Sequence, residues 1–322
     1  MAAATKPEQE ESTKPGDQDA PVAPVKEERK GPRGQHILRF TDLPEDVLSV
    51  VILGFEGTGK SLFAIKGAPL PLLLANLDRP LTKVHLGAVK RDRAEQIFIA
   101  NMREQMDELN VQEALQIKDQ LEDLINQNLN WLKGGTFMLD GGTLWRDVLK
   151  LSDPTIGTAI AAGKKFNPKD KASINTYVAQ FISYLQDKGI NFVITSHAAF
   201  SWEMVTTMND NGEAKKQLAR TKTVYPKLDD IVMERANVVL LAFKRCICGK
   251  NITTQDGTCT AVADAMDANK EADHQGRRHM MRIVTNKFNT STEGTVWEDL
   301  DWATMRILCF EPAKAKVLLE RD

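Results

Sequence analysis

The chain has 322 residues, 42% of them hydrophobic and 27% charged, a composition typical of globular proteins with one large domain or two modest ones. Its formal net charge of −2 excludes a globally basic nucleic-acid binder, although local basic segments are compatible with it. Four clustered cysteines do not suit a secreted disulfide framework. The sequence has no signal-type N-terminus and no apolar run of about 18 residues, so we expect a cytoplasmic protein without a membrane span.

The first 36 residues, Met1–His36, are rich in Pro, Glu and Lys and contain no aromatic residue. Such a segment buries too little apolar surface to offset the entropy lost on ordering, so we expect a disordered tail. Residues 37–322 are predicted to form a single domain.

From Val47 onward, short apolar runs alternate with longer segments of helical periodicity. The predicted strands are Val47–Leu53, Pro71–Asn76, Thr136–Leu139, Ile190–Thr195, Asn237–Phe243 and Met280–Thr285. Several are continuously apolar, which is typical of parallel strands that are covered on both faces. The alternation predicts an α/β fold with a mostly parallel central sheet flanked by helices.

Three apolar stripes with helical spacing lie between the predicted strands. They are Met102, Met106 and Leu109; Ile117, Leu121 and Leu124; and Ile174, Val178, Phe181 and Leu185. Residues three or four apart share one face of a helix, so we predict three helices that face the core. The Met and Leu side chains are interpreted as packing residues rather than cofactor contacts.

The segment Gly54–Ser61 matches the phosphate-loop pattern G-x-x-x-x-G-K-[ST], between a predicted strand and a helical pattern. The glycines let the backbone turn its N–H groups toward phosphates, and the following helix N-terminus adds a favourable dipole. Lys60 is predicted to reach the β- and γ-phosphates, and the Ser61 hydroxyl to bind Mg²⁺. The predicted nucleotide-binding residues are Gly54, Phe55, Glu56, Gly57, Thr58, Gly59, Lys60, Ser61 and Leu62.

A second metal-site element follows the apolar strand Thr136–Leu139, which ends at Asp140. Asp140 is predicted to hold Mg²⁺ through a water or to orient the Ser61 hydroxyl. The residues after it, Gly141–Thr143, include no Glu to polarise water, which argues against an AAA-plus machine. The segment Asn286–Asn289 lacks the final Asp that reads guanine, which argues against a GTPase.

Two further strand ends carry candidate catalytic side chains. Asp78 follows the second strand, and ligands gather at the carboxyl ends of parallel strands, so Asp78 is predicted to orient or deprotonate the lytic water. The alternative is that Asp78 pairs with Arg79 or caps the next segment. His197 follows the fourth strand and is predicted to sense the γ-phosphate, with a purely structural role as the alternative.

The order of these elements resembles the RecA-type ATPase core. It is similar in particular to the short phage-encoded RecA-like ATPases implicated in single-strand annealing and recombination. The resemblance covers Phe40 to Asn289 and includes Val193–His197 and Met281–Lys287. It implies a Mg²⁺-dependent ATPase that assembles as a homo-oligomer in the cytoplasm of the host cell.

The resemblance also implies roles for single residues. The phosphate and metal ligands are Lys60, Ser61 and Asp140. Asp78 stands where the family has its catalytic Glu, and His197 stands where RecA has a Gln. Lys287 matches a lysine that reaches the γ-phosphate of the neighbouring subunit. Because Asp is shorter than Glu, and because Thr285 replaces another lysine of RecA, slow turnover is expected.

In RecA-like proteins the DNA-binding loops follow the third and fourth strands, where this chain has Ser152–Lys171 and Phe200–Lys227. Both segments contain more basic than acidic residues. Their cations are Lys164, Lys165, Lys169, Lys171, Lys215, Lys216, Arg220, Lys222 and Lys227, and their aromatic residues include Phe166, Phe200, Trp202 and Tyr225. Clustered cations suit a phosphate backbone and aromatic rings stack on bases, so sequence-independent binding of single-stranded DNA is predicted. The alternative is that these charges are simply solvated.

Three cysteines and two histidines lie close together in the sequence: Cys246, Cys248, Cys259, His274 and His279. Their intervals do not match the spacing of structural zinc sites, so we predict free thiols in a hairpin extension after the fifth strand.

Two functions stay open. The first is a RecA-like ATPase that binds single-stranded DNA. The second is a nucleotide-gated accessory protein of replication or packaging, whose basic segments contact protein. Annealing and strand exchange are not distinguished by the sequence.

Overall fold

The computed structural model describes residues 29–30, 36–37, 47–78, 87, 89–103, 108–164, 171–208, 214–228, 230–246, 251–252 and 277–320. The chain divides into two compact units, Met1–Pro44 and Glu45–Asp322. In the first unit, β1 (Arg29–Lys30) pairs antiparallel with β2 (His36–Ile37). Most of the predicted tail, Met1–His36, lies outside the described residues.

The second unit is built on one sheet of ten strands. They are β3 Ser49–Gly54, β4 Leu72–Asn76, β5 Ile97–Asn101, β6 Thr136–Asp140, β7 Asn191–Met208, β8 Ala214–Pro226, β9 Val238–Cys246, β10 Asn251–Ile252, β11 Arg277–Asn286 and β12 Val296–Glu298. The strand order is β12-β11-β9-β3-β7-β6-β4-β5, with β10 paired to β9 and β8 to β7. The six strands from β9 to β5 run parallel. The predicted α/β fold with a mostly parallel sheet is confirmed.

Helices cover both faces of this sheet. They are α1 Lys60–Gly67, α2 Arg91–Ala94, α3 Val111–Leu132, α4 Gly142–Ser152, α5 Pro154–Ala161, α6 Ala172–Asp187, α7 Asp230–Arg235, α8 Trp302–Phe310 and α9 Pro312–Leu319, with a 3₁₀ turn at Thr290–Thr292. Within the described part of the chain, none of the helices combines the length and the apolar character that crossing a membrane requires.

One face of the sheet packs against α3, α4, α6 and α7. Its core contains Phe137 and Phe192 stacked at 6.2 Å, with Phe181 edge-on to both and Trp145 tilted against Phe181. Burial of each such side chain contributes about 1.5–3 kcal/mol. The opposite face packs against α1, α8 and α9, where Phe63 and Trp302 meet at 5.9 Å.

The predicted strands and two of the three predicted stripes are observed. Ile117 and Leu121 on α3 are buried, as are the four stripe residues of α6. The prediction that Met102, Met106 and Leu109 lie on a helix was wrong for its two described residues, because neither Met102 nor Leu109 is helical. Met102 continues from β5 and its N–H donates to Asn76 O, and α3 begins only after Asn110, whose side chain caps the Glu113 N–H at 2.9 Å. Met106 lies outside the described residues.

The parallel strands place Gly54, Asp140 and His197 at one edge of the sheet, which we call the nucleotide edge. Gly54 pairs with His197 across β3 and β7, and Asp140 pairs with Thr195 across β6 and β7. Since β7 lies between β3 and β6, the side chains that end these three strands meet from both sides of β7.

Candidate nucleotide site

The connection from β3 to α1 has the shape of a closed phosphate loop. At Gly54, a Cβ atom would lie 2.5 Å from Ala242 O and 2.7 Å from Thr58 Oγ1, so only glycine fits between the neighbouring strand and the loop. Gly59 has φ 84°, a left-handed conformation that favours glycine, directly before α1. Thr58 Oγ1 donates to Phe55 O at 2.8 Å and closes the turn.

Lys60 is held inside this loop. Its Nζ donates to Gly54 O at 3.1 Å and to Phe55 O at 2.8 Å. Burial lowers the pKa of Lys60 below its usual value, and the nearby charges of Asp140, Asp78 and Glu56 partly oppose that change. The ammonium is therefore held against the loop backbone, near enough to Asp140 and Asp78 for both charges to act on it.

Ser61 and Asp140 are in direct contact, as the sequence predicts for a metal site. Ser61 Oγ lies 2.9 Å from Asp140 Oδ1 and 2.8 Å from Oδ2. A hydroxyl and a carboxylate are the hard oxygen ligands that Mg²⁺ takes from a P-loop protein, with phosphates and waters completing the octahedron. The described residues contain no group of three or more His, Cys, Asp or Glu side chains that could hold a metal ion alone. The residues present therefore fit Mg²⁺ brought in with a nucleotide.

Thr195 is a site residue that the sequence reasoning missed. Its Oγ1 donates to Asp140 Oδ1 and accepts from the Gly141 N–H at 3.4 Å. Thr195 is only 2% exposed, so its hydroxyl contacts and orients the carboxylate from the buried side of the site. The sequence contained one signal, a polar residue near the end of an otherwise apolar strand.

Asp78 and His197 come together although 119 residues separate them. Asp78 Oδ2 lies 3.3 Å from His197 Nε2, and 45% of the Asp78 side chain and 36% of the His197 side chain are still accessible to water. The position of His197 is fixed by Thr143, whose Oγ1 accepts from the His197 N–H at 3.2 Å. Thr143 also contacts Ser196 Oγ at 3.1 Å. Thr143 is the second residue that sequence reasoning missed, because it acts on backbone rather than on a ligand.

Lys287 is not brought to this site. It follows β11 at the opposite edge of the sheet, where its N–H donates to Asn237 O at 3.0 Å and its Nζ donates to Glu234 O. Burial lowers the pKa of Lys287, Arg235 lowers it further, and Glu234 opposes the change. Within one chain, Lys287 cannot contact a nucleotide in the phosphate loop.

The two segments predicted as loops contain regular structure. Within Ser152–Lys171, α5 begins directly after Asp153, whose Oδ1 accepts from the N–H groups of Thr155 and Ile156 at 3.0 and 2.9 Å. This part of the prediction was wrong, because a proline at the first helical position and an Asp cap favour a helix. Residues 165–170, which include two of the predicted cations, lie outside the described residues.

The described part of the segment Phe200–Lys227 consists of the antiparallel hairpin strands β7 and β8 rather than a loop, and residues 209–213 lie outside the described residues. This segment leaves the sheet at the nucleotide edge, because β7 pairs with β3 as far as His197 and with β8 from Ala198 onward. The Lys227 N–H donates to His197 O at 2.9 Å and closes the base of the hairpin.

The cysteine segment is described only in part. Cys246 is buried at the end of β9, while Cys248, Cys259 and His274 lie outside the described residues. β10 pairs with β9, which agrees with a hairpin extension after that strand.

No protein-family model matches the chain, and no curated protein matches it. Among solved structures, the chain is similar to the assembled ATPase EscN, in complex with its central stalk EscO, from the enteropathogenic E. coli type III secretion system. The TM-score is 0.34 at 12% identity, covering 61% of this chain and 42% of that chain. A prototypical ATPase from the type III secretion system of pathogenic bacteria gives a TM-score of 0.33 at 12% identity, covering 60% of this chain and 51% of that chain. The match thus spans about half the length of these two proteins.

Proposed function

We propose that the protein is a RecA-like, Mg²⁺-dependent ATPase of phage type that binds single-stranded DNA and supports annealing or recombination. The observation that carries the ATPase part of this proposal is the contact of Ser61 with both carboxylate oxygens of Asp140, at a closed phosphate loop. Two motifs that are far apart in the sequence meet with the donor set that a nucleotide-bound Mg²⁺ needs.

Binding of ATP requires a change of hydrogen-bond partners at Lys60. The backbone N–H groups of Gly57–Ser61 surround the phosphates, and Lys60 exchanges its two carbonyl partners for phosphate oxygens. Ser61 and Asp140 would hold Mg²⁺, which neutralises charge on the polyphosphate when bound. The side chain of Thr195 keeps the Asp140 carboxylate in the orientation that this requires.

Hydrolysis depends on the Asp78–His197 pair. Asp78 orients the attacking water and accepts its proton as the water oxygen bonds to the γ-phosphorus and the bond to ADP breaks. The Asp78 side chain remains 45% exposed, which leaves room for that water. Lys60 stabilises the charge that develops on the transferred group.

Coupling to DNA goes through His197. This residue is the last of β7 to pair with the phosphate-loop strand, and its carbonyl closes the base of the hairpin. Movement of His197 on loss of the γ-phosphate is therefore passed to the segment Phe200–Lys227, which carries the proposed DNA contacts.

We assign Lys287 to the site of a neighbouring subunit, because it lies at the opposite edge of the sheet from its own phosphate loop. Mixing two inactive variants, Lys60→Ala and Lys287→Ala, tests this. A mixed assembly contains sites with Lys60 from one subunit and Lys287 from the next, so turnover should reappear on mixing. Mixtures as inactive as their components, or an active Lys287→Ala variant, would remove Lys287 from the mechanism.

The ATPase proposal is tested by phosphate release from ATP with Mg²⁺, with and without single-stranded DNA. Wild type should turn over ATP, and Lys60→Ala should abolish turnover. Lys66→Ala, which replaces an exposed lysine in the last turn of α1, is the matched control and should behave as wild type. Absence of phosphate release from wild type under all conditions would reject hydrolysis.

The DNA proposal is tested by filter binding of single-stranded DNA with and without ATP, between about 50 and 200 mM salt. Replacing Lys215, Lys216 and Arg220 on β8 by Ala should weaken binding and flatten its salt dependence. Replacing Lys66 on α1 together with Lys314 and Lys316 on α9 removes the same number of charges and is the control for charge alone. If wild type shows no salt-sensitive binding, a nucleotide-gated contact with a protein partner becomes the better account.

A further inference from the structure

Two basic side chains approach the phosphate loop from the side opposite to Asp140. Lys244 on β9 and His279 on β11 are register partners in the antiparallel pair of these strands. β9 is the other neighbour of β3, with Ala242 level with Gly54. The loop therefore lies between β7, which carries His197, and the β9–β11 pair, which carries Lys244 and His279.

Both side chains reach the tip of the loop. A Cβ atom at Gly57 would lie 3.3 Å from Lys244 Nζ, and one at Gly59 would lie 3.3 Å from His279 Nδ1. His279 Nδ1 is also 3.3 Å from Thr58 O. A carbonyl oxygen only accepts hydrogen bonds, so Nδ1 must carry the hydrogen in this contact.

The sequence pattern of both strands changes at the same level. On β9, Leu240 and Ala242 are buried against the α1 layer, and Lys244 is the next residue on that face. On β11, Ile283 and Met281 are buried in the same layer, and His279 is the next residue on that face. On each strand, the face that carries buried apolar residues elsewhere thus carries a basic residue beside the phosphate loop.

We propose that Lys244 is a second phosphate-binding cation supplied by the same chain, and that His279 is a positioning residue that holds the loop through Thr58. The inference rests on the proposed nucleotide site and names the group that contacts the polyphosphate from its β9 side. Lys60 and Lys244 then flank the polyphosphate from inside and outside the loop. A polyphosphate carries several negative charges, which a single lysine neutralises only in part.

The role of Lys244 is tested by titrating the full chain with a slowly hydrolysed ATP analogue and Mg²⁺. Lys244→Met keeps the length of the side chain and removes its charge, so the affinity should fall on the order of tenfold. Lys244→Arg should stay within about twofold of wild type, which also shows that the site tolerates replacement. Arg278→Met is the matched control, because Arg278 neighbours His279 but forms an ion pair with Glu298 at 2.9 Å.

Equal affinities of Lys244→Met and Arg278→Met would overturn the role of Lys244. Failure of wild type itself to bind the analogue is a different result, and it would reject the nucleotide site as a whole. Thermal melts of each variant separate lost contacts from lost folding.

The positioning role of His279 has its own readout. His279→Ala should raise the KM for ATP, while His279→Asn, whose amide N–H can take the place of Nδ1–H, should restore it. Identical KM values for the Ala and Asn variants would overturn this role.

Discussion

The two edges of the central sheet are both polar, but their polar side chains have different partners. At the nucleotide edge, ionisable and hydroxyl side chains contact one another: Ser61 and Thr195 contact Asp140, and His197 contacts Asp78. These groups are held in position by other side chains and retain lone pairs or protons for a ligand.

At the opposite edge, amide side chains bond to the backbone. Asn191 accepts from the Leu48 N–H at 3.0 Å and donates to Gly135 O at 2.9 Å. Asn237 accepts from the Ser49 N–H at 2.9 Å. These amides bond to backbone groups where strands enter the sheet: the N–H groups of Leu48 and Ser49, and Gly135 O, which also accepts from the Asn191 N–H.

The difference indicates that the polar side chains at the nucleotide edge serve chemistry, whereas those at the opposite edge serve stability. Substitutions at the nucleotide edge should change chemistry and leave stability nearly unchanged. Substitutions at the opposite edge should do the reverse. Each of the following predictions tests one side of this division.

The largest effect is expected for Asp78→Asn. The amide can still contact His197, but it cannot accept the proton of the attacking water, so turnover should fall by about 10²–10⁴-fold. The dissociation constant for ATP and the thermal midpoint should stay close to those of wild type. Phosphate release and nucleotide titration measure these quantities, and unchanged turnover would remove Asp78 from the mechanism.

The second prediction concerns Asn191→Ala at the opposite edge. Asn191 is 4% exposed, and its loss leaves a buried N–H and a buried carbonyl with one partner fewer. The free energy of unfolding should fall by about 1–3 kcal/mol, while turnover per folded molecule stays the same. Urea unfolding checks the first value, and Asn130→Ala, on the exposed face of α3, is the control. A large loss of turnover without loss of stability would contradict the division between the edges.

The nucleotide edge was predictable from sequence wherever its residues belong to a local pattern. The phosphate loop and Asp140 each follow an apolar strand with fixed spacing, and the structure brings both together. Thr195 could not be found in this way, because its role depends on pairing between β6 and β7, which are distant in sequence. Thr143 on α4 could not be found either, because it contacts the backbone of His197, which is also distant in sequence. The outermost strand β5 was missed although it begins with a short apolar run, Ile97–Ala100; these side chains are partly or fully exposed, because β5 has a neighbouring strand on one side only in the described sheet.

Thr195→Val tests the residue that the sequence did not reveal. Valine keeps the shape of threonine but removes the hydroxyl that orients Asp140. Turnover should fall by on the order of tenfold, with a higher Mg²⁺ concentration needed for half-maximal rate, because the carboxylate is less well positioned. Thr195→Ser keeps the hydroxyl and should retain most activity. If Val and Ser variants behave alike, the hydroxyl has no part in metal binding.

The smallest effect is expected for Asp153→Ala. This variant tests whether a carboxylate near a strand or helix end can serve stability without serving chemistry. Asp153 follows α4, caps α5 and accepts from Ser173 Oγ at 2.6 Å. Removing such a cap should cost about 1 kcal/mol of stability and no turnover.

The pH dependence of the Asp153→Ala difference separates the cap from a packing effect. Burial alone would raise the pKa of Asp153, but the hydrogen bonds from Ser173, Ile156 and Thr155 outweigh it and hold the pKa below its usual 3.8. The carboxylate therefore stabilises the folded state above that value, and this contribution is lost as pH falls through the lower pKa of the folded protein. Urea unfolding should show the full difference at about pH 7 and pH 5 and a smaller one at about pH 3. Asp153→Asn keeps a capping oxygen that does not titrate, so the stability difference between the Asn and Ala variants should stay constant over this pH range; a difference between these two variants that shrinks at about pH 3 would show that another group is responsible.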